Sequence, residues 1–310
     1  MTRFFLTKLL RAVVTLWLVV TFIFVILRLS GDPTDILLPD DAPQEVVEYY
    51  RHLWGLDRPL HEQYMRYFAS VIQGDFGESL RDRRDALTVV LERVPATLQL
   101  GFAALLCSIL VGVPLGTYAA LHRNQAADRL TIGFAVLGYA MPHFFLGILL
   151  ILLFSMWLQV LPSSGSATWL HMVMPVITLG MSSAGTLARF SRSAMLEVLN
   201  QPFMRTAKAK GVPRLRRIAW HAMPNAAIPV VTVLGFKIGG LISGAVVTET
   251  VFAWPGIGRL LVTSVAQRDL AVVQTIILLV ALTMVVTNLL VDILYGWIDP
   301  RVRVSNQRQV

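Results

Sequence analysis

The chain has 310 residues, 55% of them hydrophobic and only 15% charged, with a mean hydropathy of +0.63. This excludes an ordinary soluble domain, where charged residues make up about a quarter. The net charge of +8 comes without an aromatic-studded basic face or a single-strand groove pattern, so it does not signal nucleic-acid binding, and the lone Cys107 cannot form an intrachain disulfide.

A hydrocarbon core of about 30 Å needs roughly 20 apolar residues in a helix. Six stretches meet or approach that length: Leu9 to Leu29, Ala96 to Leu121, Leu130 to Val160, Met172 to Arg189, Ile228 to Phe252 and Val272 to Trp297. The first follows Arg3, Lys8 and Arg11 like a secretory signal. It exceeds a usual signal core, however, and the Leu-Ser-Gly-Asp-Pro after it is a poor cleavage site, so it reads as a retained helix.

Between the first two spans, residues 30–95 hold thirteen acids against seven arginines, a net charge of −6. Asp41 is placed to cap a helix beginning near Pro43, and Asp57 one beginning near Arg58. In the second helix Leu60, Tyr64, Tyr67, Phe68 and Val71 share a face, with Glu62 and Arg66 away from it. The pattern predicts a small helical lobe on the membrane's outer face, ended by a turn at Gly74 to Ser79. A structural cap is the favoured role for it, against contact with a soluble partner.

The second span carries Gly112-Val113-Pro114-Leu115-Gly116, read as internal packing with a kink. The third is longer than one crossing, which predicts a tilt or a bend near Gly138 and Pro142. Residues 189–228 then carry eight basic residues against Glu197, a net charge of +7. The positive-inside bias puts this loop and both termini in the cytoplasm and residues 30–95 outside. Within the loop, Gln201 to Lys210 is a helix candidate, Gly211 supplies a left-handed end, and Pro213 opens a second helix that stops at Pro224. Two short helices joined by a glycine elbow make a knob that another protein can grip.

The fifth span has a small-residue face of Gly235, Gly239, Gly240, Ser243 and Gly244, suited either to packing within the chain or to meeting another subunit along a path. Lys237 in the same span costs about 2.5 to 3.5 kcal/mol on insertion scales. Either its stem snorkels or pairs with a neighbouring helix, or it faces an aqueous path and favours anionic solutes. Trp254, Pro255, Gly256, Ile257 and Gly258 form a turn whose Trp254 and Ile257 are expected at the interface, as in an ordinary interfacial turn, or plugging an outer mouth. Glu249 is expected in a structural ion pair with Arg259 or Arg268. With Asp292 it is one of the two carboxylates in the last two spans that a proton-coupled secondary transporter would use. That alternative lacks an evident inverted repeat. The six histidines show no metal-ligand spacing.

The loop resembles that of the permease subunits of binding-protein-dependent ABC importers, E-A-A-x3-G-x9-I-x-L-P. Arg205, Thr206 and Ala207 take the E-A-A places, with Gly211, His221, Met223 and Pro224 after them, although only Ala207, Gly211 and Pro224 match outright. The peptide, opine and nickel branch is more similar. Its R-T-A-x-A-K-G matches Arg205 to Gly211, including Lys208, Ala209 and Lys210, and its H-A-x-x-N-A-x-I-P matches His221 to Pro229. Gly31-Asp32-Pro33, Leu56 to Leu60 with Gln63-Tyr64, Gly74 to Gly77, Pro95 to Leu98 and Val251 to Gly258 also look like that branch.

The resemblance implies an all-α integral membrane protein with the type I ABC importer permease fold, six transmembrane helices and a small extracytoplasmic lobe. The division is 1–29 for the first helix, 30–95 for the lobe, 96–297 for a five-helix core containing the coupling loop 189–228, and 298–310 for a tail. The resemblance also implies an outer gate at Trp254, Pro255, Gly256, Ile257 and Gly258, in an inner-membrane, multi-pass subunit that is not itself an enzyme and binds no cofactor. Its partners are a second permease, two cytoplasmic ABC ATPases that hold ATP and Mg, and an extracytoplasmic binding protein that delivers a peptide-like solute. No GxxxxGK[ST] phosphate loop occurs in the chain.

Overall fold

The computed structural model describes residues 2–29, 43–53, 56–79, 81–239 and 245–298, whose regular secondary structure is helical apart from one isolated bridge between Glu78 and Asp85. Five helices are long and apolar enough to cross a membrane: Leu6–Ile26, Ala86–Leu121, Leu170–Leu199, Arg214–Gly235 and Leu270–Leu290. Ala126–Ala140 and His143–Trp157 meet at a bend of 103°, and as one broken span they bring the number to six. Met141 is extended (φ −81°, ψ 121°) because the proline ring at 142 disfavours helical dihedrals before it. The third predicted span therefore breaks rather than tilts.

Two compact units are discontinuous in sequence: Met1–Val94 with Leu260–Leu289, and Pro95–Arg259 with Leu290–Val310. The first contains α1 (Thr2–Leu29), α2 (Gln44–Leu53), α3 (Leu60–Gln73) and α4 (Ala86–Leu91). Val20 and Ile23 of α1 bury themselves with Leu278 against Tyr67, Phe68, Val71 and Phe76, and the Thr21 and Tyr64 hydroxyls lie 2.8 Å apart. The lobe's apolar face is thus packed on a long helix. Leu60 departs from the expected face and is exposed, whereas Gln63 is buried, its amide donating to the carbonyls of Leu56 and Arg58. Asp57 is not the cap of α3: the helix starts after Pro59, since a residue preceding proline is driven out of the helical region. Asp41 lies outside the described residues.

The expected turn is present, with Gly74 (φ 78°) and Gly77 (φ 83°) in the left-handed region. It is pinned at both ends within this unit, by Gln274 Nε2 donating to the Phe76 carbonyl (2.6 Å) and Ser79 Oγ donating to Asp269 Oδ2 (2.6 Å). Asp85 caps α4 by accepting from the amide and hydroxyl of Thr88, which holds its carboxyl below the usual range.

The second unit contains α5 (Val94–Leu121, from Pro95), α6 (Ala126–Ala140), α7 (His143–Leu150, continued by π-helical turns over Ile151–Trp157) and α8 (Leu170–Leu199). After α9 (Pro202–Ala209), a continuous helical run comprises α10 (Arg214–Arg216), π-helical Arg217–Ala222 and α11 (Met223–Gly239). α12 (Val246–Val251) follows in this unit, and α13 (Ile257–Ala266) and α14 (Leu270–Ile298) complete the chain order, their residues 260–289 belonging to the first unit. The predicted fourth span thus stops ten residues short of the end of α8, which carries Arg192 in its last third. Pro224 does not end a helix either. A proline lacks the N–H for the carbonyl four residues back, and the wide turns of Arg217–Ala222 just before it relax that demand.

α8 is the hub of this unit. Gly112 and Gly116 of α5 meet it so closely that a Cβ at Gly112 would lie 2.6 Å from the Ala184 carbonyl, and one at Gly116 would overlap that of Ala188. Gly185 receives α6 in the same way, facing the Ala135 backbone at 3.0 Å. The Gly112 to Gly116 segment is therefore an internal packing surface.

Candidate functional site

The basic segment between α8 and α11 is built from both apolar and charged residues. Pro202 opens α9, whose Met204 and Ala207 are buried with Ala120, Ala194, Met195, Ala222 and Ala226. Arg205, Thr206, Lys208, Ala209 and Lys210 are exposed. One face of α9 thus belongs to the core of this unit and the other is presented to solvent. Gly211 (φ 76°) closes the helix, its amide donating to the Lys208 carbonyl while that of Val212 donates to Ala207. Nothing lies within 4 Å of a Cβ built on Gly211, so backbone conformation alone calls for glycine.

Two residues on, Pro213 caps the helical run, so the elbow joins α9 directly to a span. His221 is half-buried, Pro224 is exposed, and the His221 carbonyl accepts from the Asn225 amide at 2.7 Å. A cleft of about 290 Å³ opens beside α9, with Arg205, Lys208, Arg214 and Arg217 around a floor that includes Met204 and Ile218.

Within the spans, Asp128 is buried on α6 and forms a two-pronged ion pair with Arg192 of α8, Nη2 to Oδ2 at 2.8 Å, while also accepting from the Asn124 amide. Nine residues earlier on α8, Ser183 accepts a hydrogen bond from Lys237 Nζ of α11 at 3.1 Å. Gly235 is half-buried and Gly239 ends α11; Gly240, Ser243 and Gly244 lie outside the described residues. The close approaches seen at glycines fall on α5, α6 and α8, apart from those around residues 251 to 258.

The turn at Trp254 to Gly258 is held by side chains packed within the chain. Trp254 is 3% exposed and Ile257 1%, so both side chains are packed inside the chain rather than presented on its surface. Trp254 Nε1 donates to the Ala96 carbonyl (2.9 Å) and the Ile257 amide to Thr97 Oγ1 (2.8 Å). Glu249, fully buried, organises both: its carboxylate accepts from the Thr97 hydroxyl at 2.7 Å and from the Arg259 amide at 3.1 Å, at the start of α13. A Cβ on Gly256 would overlap that carboxylate, and one on Gly258 would overlap the Val246 backbone. The group expected in an ion pair is held by a hydroxyl and a helix N-terminus. The side chain of Asp292 lies outside the described residues. Sequence reasoning missed Thr97, Asp128 and Ser183. Only the Pro95 to Leu98 segment had drawn notice, and for its resemblance alone.

The chain matches "Binding-protein-dependent transport system inner membrane component" over residues 112–304 and "Binding-prot-dependent transport system membrane comp, N-term" over 1–101. It is 40% identical over 304 residues to the glutathione transport system permease protein GsiC of Escherichia coli (strain K12), covering 98% of this chain and 99% of that one. The GsiC of Salmonella typhimurium (strain LT2) is 41% identical over the same shares. A solved structure titled "Inward facing conformations of the MetNI methionine ABC transporter" shares the fold, with a TM-score of 0.56 at 17% identity, over 68% of this chain and 96% of the other. The full-length relatives and the paired family matches make this chain a member of the binding-protein-dependent transport system inner membrane components, a membrane permease subunit of an ABC importer whose homologues leave ATP hydrolysis to separate subunits.

Proposed function

We propose that the chain forms, with a second and homologous permease, the path by which a small peptide or peptide-like solute enters the cytoplasm. Relatives bearing the name glutathione permease support that solute class. An extracytoplasmic binding protein delivers the solute, and two ATPases on the cytoplasmic side hold ATP and Mg. The protein sits in the inner membrane with both termini cytoplasmic. The concentration of Arg205, Lys208, Lys210, Arg214, Arg216 and Arg217 around the α9 elbow supports this orientation.

The observation that carries the reading is the construction of α9. Its exposed face, with Arg205, Thr206, Lys208, Ala209 and Lys210, is the docking surface for an ATPase. Its buried face, Met204 and Ala207, and the Gly211 elbow tie it to α8 and to the run that becomes α11. When ATP draws the ATPases together, α9 moves and both helices move with it, turning the permease from inward-open to outward-open. The Trp254 to Gly258 turn, clamped by Glu249, keeps the outer end of the path in shape as an outer gate.

Gly211→Val tests this. A β-branched residue at φ 76° costs about 1–2 kcal/mol of backbone strain without any clash. Proteoliposomes with both permeases, the ATPases and the binding protein should lose ATP-dependent uptake and receptor-stimulated ATPase activity, with the variant still inserted. Wild-type uptake that persists without any ATPase and follows a proton gradient would overturn the reading in favour of a secondary transporter.

A further inference from the structure

We propose that Lys237 and Ser183 together form a carboxylate-recognising position on the translocation path, and that the imported solute carries a free carboxylate. This rests on the importer reading above and deepens it. Ser183 is the fourteenth of the thirty residues of α8, the middle of a span, and the Lys237 ammonium reaches it from α11 at 3.1 Å. A cation at that depth is expensive. Folds that need one only for architecture neutralise it, as this chain does when it gives Arg192 the Asp128 carboxylate. Lys237 receives a hydroxyl instead, and among the described residues no carboxylate lies within ion-pair distance of it.

The chemistry of the pair fits one kind of ligand. Lys237 spends one of its three N–H bonds on Ser183 and keeps two. Ser183 Oγ, by accepting that bond, leaves its own proton free to donate. An ammonium and a hydroxyl side by side, both half-buried and each with a proton left to donate, match the two oxygens of a carboxylate. A neutral solute would have to leave the charge unanswered. Peptide-like molecules carry this group at their C-terminus.

The test uses the complete complex in proteoliposomes with glutathione as the probe. Lys237→Gln should lower ATP-dependent uptake about tenfold, the loss of one charge-assisted contact, while Lys237→Arg should retain most of it and binding to the receptor protein should not change. In a Cys107→Ser background, Lys237→Cys should be modified by a water-soluble methanethiosulfonate carrying a sulfonate, and S-methylglutathione, which keeps the carboxylates but has no thiol to consume the reagent, should slow the modification. Uptake by Lys237→Gln within about twofold of wild type, or a Lys237→Cys thiol that the reagent never reaches, overturns the proposal. Should Lys237→Gln fail to assemble, the arginine variant and the labelling decide. Wild-type uptake that needs no ATP is a different outcome, since it sinks the importer reading.

Discussion

Two cations bridge α8 to a neighbouring helix in the second unit, and the protein treats them in opposite ways. Arg192 is met by Asp128 from α6 in a two-pronged pair, with the carboxylate further held by the Asn124 amide. Lys237, reaching Ser183 nine residues earlier on the same helix, is met by a hydroxyl. Both contacts bridge two helices, so geometry alone does not separate them. Charge balance does. A neutralised pair stabilises one arrangement of α6 on α8, whereas a half-answered ammonium costs energy in the empty protein and repays it when an anion arrives.

The largest effect should come from removing the partner of the buried pair. Asp128→Ala leaves the Arg192 guanidinium, whose side chain is 20% exposed, without its carboxylate. Unfolding should become easier by about 3–5 kcal/mol, read from thermal or denaturant unfolding in detergent. The double variant Asp128→Leu, Arg192→Met should recover most of that loss, because well-packed apolar residues often replace a buried ion pair without penalty. Failure of the double variant to recover would mean that the pair does more than hold α6 to α8.

A middle-sized effect is expected where α8 is held without any charge. Gly116→Val places a branched side chain where even a Cβ overlaps the Ala188 carbonyl, so α5 and α8 must separate. The cost should be about 1–3 kcal/mol, the range for overpacking, and the same unfolding assay reads it. A change below about 0.5 kcal/mol would show that α5 rides loosely on α8 and that the polar bridges carry the assembly.

Much of this architecture is legible in the sequence, for reasons that also mark the limits. Spans show because apolar length is a local property, as with α1, α5 and α14. The α9 helix and its elbow show because Pro202 and Gly211 each dictate local backbone geometry. The length of α8 was hidden: hydropathy falls at Arg189, but a helix persists past the last apolar residue when its polar side chains have partners, as Arg192 has. Pro224 misled because the widened turn before it leaves no trace in composition.

The polar contacts were the least visible. Thr97 and Glu249 are 152 residues apart, Asp128 and Arg192 are 64 apart, and Ser183 and Lys237 are 54 apart. No local periodicity reports such pairings. Residue types place Trp254 and Ile257 at the interface or plugging an outer mouth, and say nothing of their burial beside Glu249. In the lobe, Gln63 is buried while Leu60 is exposed, and the Gln63 side-chain N–H groups donate to two carbonyls upstream, contacts that hydrophobic spacing ignores.

The smallest stability effect should come from Lys237→Met, and it is the sharpest test of the contrast between the two cations. If Lys237 were a structural brace, its loss would cost what the loss of Asp128 costs. If it waits for an anion, methionine removes an unanswered charge from the middle of the bilayer and leaves Ser183 free to bond within its own helix. Thr178 and Thr186 on either side already do so, donating to the carbonyls of Met174 and Ser182. The unfolding free energy should then stay within about 1 kcal/mol of wild type, or rise, in the same assay that shows Asp128→Ala to be strongly destabilised. Equal destabilisation by the two variants would place both cations in the scaffold and leave the path without its anion-seeking group.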